Sequence, residues 1–279
     1  MKLHTIDTGF FKLDGGAMHG VVPKSLWQKV NPADEQNLCT WAMRCLLIEE
    51  GNRLILVDTG MGDKQDAKFF SHYHPTANPS LLESIARAGF HADDITDVFL
   101  THLHFDHCGG AIRRVGEQLL PTFSKATYWS HARHWASAVQ PNAREKASFL
   151  KENIMPLQES GQLKLIEEAD GFTFSEHIQV RLVEGHTEAM MLPLIQYKGR
   201  SILYCADLLP SVGHFPLAWV MGYDMRPLET LKEKERLMQE AADGQWLFYF
   251  EHDPMNELST VVSTDRGIRA GEVLRLGDL

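Results

Sequence analysis

Short apolar runs punctuated by turn residues recur along the whole chain. In residues 44–60, RCLLIEEGNRLILVDTG, two runs rich in Leu and β-branched residues flank Glu50-Gly51-Asn52, which predicts a β-hairpin ending in Asp58-Thr59-Gly60. Asn78-Pro79-Ser80 then opens LLESIARAG, whose apolar positions 81, 82, 85 and 86 fall at helical spacing before Gly89, the punctuation of a short helix. Residues 97–101, DVFLT, predict a buried strand that runs straight into HLHFDHCGG, and AIRRVGEQLL behind Gly109-Gly110 predicts a turn into a helix.

Further along, 125–129 (KATYW) reads as a strand and the stretch from about 130 to 157 as helical. The region 162–207 is β-rich, with a second hairpin around Lys198-Gly199-Arg200. Residues 226–242 carry apolar positions at 228, 231, 237, 238, 241 and 242, an amphipathic helix, and 245–250 (QWLFYF) predict one last strand before Glu251-His252-Asp253-Pro254. The order is a β-rich half and helix, then a β-rich half and helix, with no linker-like shift in composition, so residues 1–279 are expected to form a single α/β domain.

Composition narrows the class. A chain of 279 residues with 44% hydrophobic side chains can build a substantial core without disulfides. Acidic residues outnumber basic ones, 37 to 27, and no segment concentrates Lys or Arg, which argues against a nucleic-acid partner. The N-terminal MKLHTIDTGFFKLDGG has no signal-like apolar run and no membrane-length apolar segment follows, so a cytoplasmic protein acting on a small molecule is expected. The four cysteines, Cys39, Cys45, Cys108 and Cys205, lack CxxC spacing and read as reduced packing residues.

The chemistry concentrates in His102-Leu103-His104-Phe105-Asp106-His107. Three imidazoles and one carboxylate within six residues supply the N and O donors that Zn²⁺ prefers. In extended chain His102, His104 and Asp106 share one side while His107 points elsewhere, so one loop can feed two neighbouring metals. His186 in VEGHTEAM, Asp207 in ILYCADLLPS and His252 in FYFEHDP each follow an apolar strand-like run. Two other histidine pairs, His72 with His74 and His131 with His134, have metal-compatible spacing but are expected to face solvent. Asp224 stands out as a further isolated carboxylate.

HxHxDH followed by Gly-His-Thr, an Asp after a strand and a final His after the last strand resembles the metallo-β-lactamase fold hydrolases, across nearly the whole chain. That resemblance implies an αββα sandwich, two mixed sheets face to face with helices outside. It implies two divalent metals: His102, His104 and His186 on one, Asp106, His107 and His252 on the other, and Asp207 bridging. The His-rich donor set prefers zinc, with manganese, iron or cobalt as alternatives on the same donors. Asp58 matches the family's early Asp, which orients a ligating imidazole. Asp106 and Asp207 are then the catalytic carboxylates, Asp106 moving a proton while a metal-activated water attacks.

Within the family, the segments 13–27 and 208–235 resemble the lactonase and organophosphate-hydrolase branch, and relatives of that branch commonly dimerise. Hydrolysis of a lactone of the acyl-homoserine type is the leading expectation; a phosphotriester, aryl ester or thioester hydrolase is the alternative on the same site. A metal-binding sensor without turnover is the reading from a different class, and seven retained ligand positions weigh against it. Met18, Trp27, Phe105, Phe215, Trp219 and Met221 are candidates for an apolar acyl or aryl pocket. Many lactonases of the branch carry a Tyr three residues after the bridging Asp, where this chain has Pro210; Tyr223 or His214 is the candidate replacement, against the plain alternative of a packed Tyr and a solvated His.

Overall fold

The computed structural model describes residues 1–76 and 78–279. In chain order the principal elements are β1 (Lys2–Asp14), α1 (Gly15–His19), α2 (Lys24–Trp27), β2 (Leu38–Glu50), β3 (Arg53–Val57), α3 (Ala67–Tyr73), α4 (Leu81–Arg87), β4 (Asp97–Phe99) and α5 (Phe105–Cys108). There follow β5 (Ile112–Val115), β6 (Gln118–Pro121), β7 (Thr127–His131), α6 (Ala132–Val139), α7 (Lys151–Glu159), β8 (Leu163–Ile166), β9 (Thr173–Ser175) and β10 (Ile178–Val183). The chain ends with β11 (Met190–Tyr197), β12 (Arg200–Tyr204), α8 (Pro227–Gly244), β13 (Leu247–Tyr249), β14 (Leu258–Thr264) and β15 (Gly267–Leu274). No helix among the described residues is long and apolar enough to cross a membrane.

Two compact units divide the chain, the first made of 1–10 and 43–168, the second of 11–42 and 169–279. The first holds a six-stranded mixed sheet in the order β1-β2-β3-β4-β7-β8 and the separate β5/β6 hairpin. The β2/β3 hairpin pairs Glu50 with Arg53, as the apolar runs predict, and Ser80 with Glu83 forms a capping box that starts α4. From β3 onward the pairing is parallel, with Val57, Phe99 and Trp129 in register across β3, β4 and β7. Parallel neighbours leave the sheet on the same edge, so the segments after β3, β4 and β7 emerge together. Leu47, Leu56, Val98, Leu100 and Tyr128 are fully buried in the core of this unit, packed with Leu103 and Cys108 of the histidine loop.

The second unit holds a seven-stranded mixed sheet, β15-β14-β13-β12-β11-β10-β9, antiparallel throughout except for the parallel pair β12/β13. Tyr204 and Tyr249 are in register there, and both chains leave the sheet in the same direction. The long amphipathic helix α8 is present as the periodicity predicts, started by Pro227 in its first turn.

Three sequence expectations are corrected. The strand from QWLFYF, β13, is not the last, because β14 pairs antiparallel with it and β15 with β14. AIRRVGEQLL is the β5/β6 hairpin, not a helix: Gly116 turns at φ 60°, and Ile112 pairs with Pro121. The helical stretch expected over about 130–157 is two helices, α6 and α7, separated by an irregular segment over 140–150 that contains Pro141, which cannot donate to a continuing helix. The α/β class with two mixed sheets agrees with the expectation.

Candidate metal centre

Each unit carries its own half of the donor set. In the first unit β4 ends at Phe99, and past Leu100 the regular ladder gives way to specific anchors. Leu100 N–H still donates to Trp129 O at 3.1 Å. Thr101 N–H donates to Asp58 Oδ1 at 2.8 Å, Leu103 N–H to His134 Nε2 at 2.8 Å, and Phe105 N–H to Ser148 O at 3.0 Å. Alternate amides of the loop are thereby tied to three different elements, while His102 and His104 lie between the tied positions. From Phe105 the chain turns into α5, so Asp106 and His107 are helical rather than extended, and the simple alternation expected for Asp106 does not hold.

Asp58 is fully buried at φ 57°, a left-handed conformation that Asp tolerates better than most residues. Its Oδ2 accepts from Thr101 Oγ1 at 2.7 Å and from His107 Nδ1 at 3.2 Å. Since the Thr101 hydroxyl hydrogen goes to Asp58, its lone pair accepts from His102 Nδ1 at 3.0 Å. One carboxylate therefore sets the tautomers of two imidazoles, directly for His107 and through Thr101 for His102, and favours Nε2 of each as the coordinating nitrogen. For His104 the neighbour is different: Glu145, itself buried, places Oε1 3.7 Å from Nε2. The three rings are close, with His102 centroids 3.9 Å from His107 and 4.5 Å from His104.

In the second unit, Asp207 and His252 each stand three residues beyond the registered Tyr204/Tyr249 pair at the ends of the parallel strands β12 and β13. His186 sits in the loop between β10 and β11, in the Gly-His-Thr motif. Gly185 is required there because a Cβ would lie 2.4 Å from Thr230 N at the start of α8. The Asp207 carboxylate reaches both imidazoles, Oδ2 lying 3.0 Å from His186 Nε2 and Oδ1 3.0 Å from His252 Nε2. The far nitrogens are also held: His186 Nδ1 donates to Asp224 Oδ1 at 3.0 Å and His252 Nδ1 to Ala42 O at 2.8 Å. Burial opposes charge on His186, yet Asp207 and Asp224, by charge and hydrogen bond, overcome it and raise its pKa to about 10. That field attracts any cation at Nε2, a metal as much as a proton, and buried imidazoles with carboxylates are the donors a divalent metal of borderline softness requires. The residues present fit such an ion.

Other expected positions resolve differently. His72 and His74 are exposed, as expected. His131 and His134 are not solvent-facing but 2% and 1% exposed, and His131 packs at the start of α6 with Nε2 3.1 Å from Glu168 O. Phe105 sits in an aromatic group with Phe69 and Tyr73, centroids 5.3 and 4.6 Å away. In the second unit Trp27, His19 and His214 form a buried parallel stack, His19 lying 5.3 Å from Trp27 and 4.5 Å from His214, with Trp219 edge-on at 5.7 Å. Met18 and Met221 are buried, and Phe215 packs on Phe248 and Phe250.

The choice posed by Tyr223 and His214 comes out reversed: Tyr223 is exposed, and His214 is the packed one. Ser211 Oγ holds His214 Nδ1 and Met18 O holds Nε2, each at 2.9 Å, while burial and the neighbouring His19 keep its pKa well below the usual value. Sequence reasoning passed over His19, Glu145 and Lys234 altogether. Lys234, on α8 and fully buried, donates to His214 O and Trp219 O at 2.7 Å and approaches Pro216 O and Leu217 O at 3.2 and 3.3 Å, folding the segment 214–219 around one amino nitrogen whose pKa burial lowers to about 7. Apart from its place in an amphipathic helix, nothing in the sequence marks it.

The fold and these clusters define a metal-dependent hydrolase: the chain belongs to the metallo-β-lactamase superfamily, whose family model matches residues 44–252. Among characterised proteins it is 25% identical to the N-acyl homoserine lactonase AiiA of Bacillus thuringiensis subsp. kurstaki, over 92% of this chain and 95% of that one. Among solved structures it is similar to a probable metal-dependent hydrolase from Staphylococcus aureus, with 27% identity, a TM-score of 0.89, and 98% and 96% of the two chains covered. The fold is also shared with AidC, a dizinc quorum-quenching lactonase solved with N-hexanoyl-homoserine product, at TM-score 0.78 and 24% identity over 98% of this chain and 95% of that one.

Proposed function

We propose that this protein is a dinuclear lactonase that opens the ring of a lactone bearing an acyl chain, with His102, His104 and His186 holding one divalent metal, Asp106, His107 and His252 the other, and Asp207 shared. The observation that carries the reading is the Asp207 carboxylate, which directs one oxygen to His186 Nε2 and the other to His252 Nε2, each at 3.0 Å. A carboxylate so divided is suited to serve two metals, and the assignment of its partners follows the superfamily pattern. The metals, with zinc favoured by the His-rich donors, supply Lewis acidity and a water made nucleophilic near neutral pH.

The chain's own residues do the rest. Asp58 and Asp224 keep His107 and His186 in the tautomer that presents Nε2. Asp106 is 7% exposed in the first turn of α5, with Oδ2 3.9 Å from His107 Nε2, and is the group suited to take up and return the proton of the attacking water. The aromatic face of Phe105, Phe69 and Tyr73 gives an acyl chain an apolar surface. Support for a lactone over other esters comes from relatives named as N-acyl homoserine lactonases that match more than nine-tenths of the chain.

The test is proton release by the zinc-loaded protein on short- and long-chain acyl-homoserine lactones, γ- and δ-lactones, an aryl ester, a thioester and a phosphotriester. A kcat/KM of ~10⁴ M⁻¹s⁻¹ or more on a lactone, far above the others, is expected. Slow turnover of activated aryl esters or phosphotriesters alone would sink the lactonase assignment. Turnover unchanged in H104A or D207A would sink the metal assignment itself.

A further inference from the structure

We propose that His134 is a positioning residue for the histidine loop. Its Nε2 accepts the Leu103 N–H, and this fixes the peptide that joins His102 to Leu103, so that the His102 and His104 rings keep the spacing one metal needs. The proposal rests on the metal-hydrolase reading given above.

The geometry is specific. The bond is 2.8 Å long and lies between two buried residues, Leu103 at 0% and His134 at 1% exposure. β4 can no longer serve the loop here, because its ladder to β7 has ended and the last backbone partner is Trp129 O on Leu100 N. A buried amide without an acceptor is costly, so the loop would shift to find one. His134 comes from α6, at the end of the parallel neighbour β7, and its ring centroid lies 6.2 Å from that of His102. Phe149 packs against both His134 and His104, with centroids 5.7 and 4.8 Å away, so any movement of the His134 ring reaches the ligand-bearing side of the loop. The acceptors of the neighbouring amides, Thr101 N–H and Phe105 N–H, are a carboxylate, Asp58, and a backbone carbonyl, Ser148 O. His134 alone of these anchors uses a neutral imidazole nitrogen as acceptor, which sets its proton on Nδ1.

Two substitutions separate the hydrogen bond from the packing. H134F keeps an aromatic ring, somewhat larger than imidazole, and deletes the acceptor, while H134Q keeps an acceptor of similar reach. The readings are amide exchange of Leu103 in the metal-free protein, zinc affinity by competition with a chromophoric chelator, and the visible spectrum of the cobalt-loaded protein. In H134F we expect at least tenfold faster Leu103 exchange, a ten- to hundredfold weaker tighter zinc site and an altered cobalt spectrum. H134Q is expected to return all three close to wild type. Wild-type zinc affinity and cobalt spectrum in H134F would overturn the proposal while leaving the metal reading intact. A wild-type protein that binds no metal would overturn both. If H134F does not fold, H134N, whose amide is too short to reach Leu103 N–H, takes its place under the same readings.

Discussion

Replacing Asp58 by Asn tests the central electrostatic argument with the smallest steric change. Asn also tolerates the left-handed backbone at φ 57°, and its Oδ1 can still accept from Thr101 N–H. What changes is the second atom: an NH₂ now faces Thr101 Oγ1 and His107 Nδ1, where an oxygen accepted from both. His107 Nδ1–H and the amide would confront donor to donor, so the imidazole must move its proton to Nε2, the nitrogen assigned to the metal. Thr101 loses its acceptor and with it the reason to fix His102.

Coordination then has to reverse that tautomer, and second-layer changes of this kind weaken metal binding by about 10- to 100-fold, or roughly 1.4–2.7 kcal/mol. Asp58→Ala removes all three hydrogen bonds from a fully buried carboxylate and is expected to cost about 3–5 kcal/mol of stability, plus about 1 kcal/mol for the strained backbone. The assay is zinc titration of the chelator-stripped protein with parallel thermal melts. D58N should melt near wild type, with the site containing His107 weakened by that factor; D58A should lose affinity and melt early. Wild-type affinity for both metals in D58N would refute the tautomer argument.

Three further outcomes follow from the structure. Lys234→Met strips the 214–219 carbonyls of their shared amino group at a fully buried position; a fall in stability of about 1–3 kcal/mol is expected by chemical denaturation, with KM raised more than kcat is lowered. Glu233 has its pKa raised to about 7, chiefly by burial, although the Glu184 and Gly185 amides donate to it. A folded pKa above the unfolded value means folding takes up a proton, so this stabilisation is complete below about pH 4.5 and is lost as pH rises through about 7; E233Q should flatten that part of a denaturation-versus-pH curve. Gly185→Ala pushes a methyl against the Thr230 backbone and should destabilise by about 1–3 kcal/mol, with the Gly-His-Thr loop displaced and zinc affinity reduced; an unchanged melt would show that α8 yields freely.

The sequence by itself determined the donor chemistry and most of the local elements. The HxHxDH run, the strand before it, the hairpin at 50–53 and the amphipathic α8 are properties of neighbouring residues, so period and turn chemistry suffice to read them. Gly116 was the local signal for the β5/β6 hairpin, outweighed by an apolar spacing that suits a helix equally well over so short a stretch.

Tertiary structure decided which far-separated groups meet. Asp58 and His107 are 49 residues apart, His186 and Asp224 38, and Leu103 and His134 31. No periodicity links such positions; parallel pairing does, because β3, β4 and β7 release their chains at one edge and β12 and β13 release theirs side by side. Burial was equally out of reach. His131 and His134 have the spacing of a solvent-facing pair, and Lys234 looks like any surface lysine, until a packed sheet edge and a folded loop supply the acceptors and donors that make burying them tolerable.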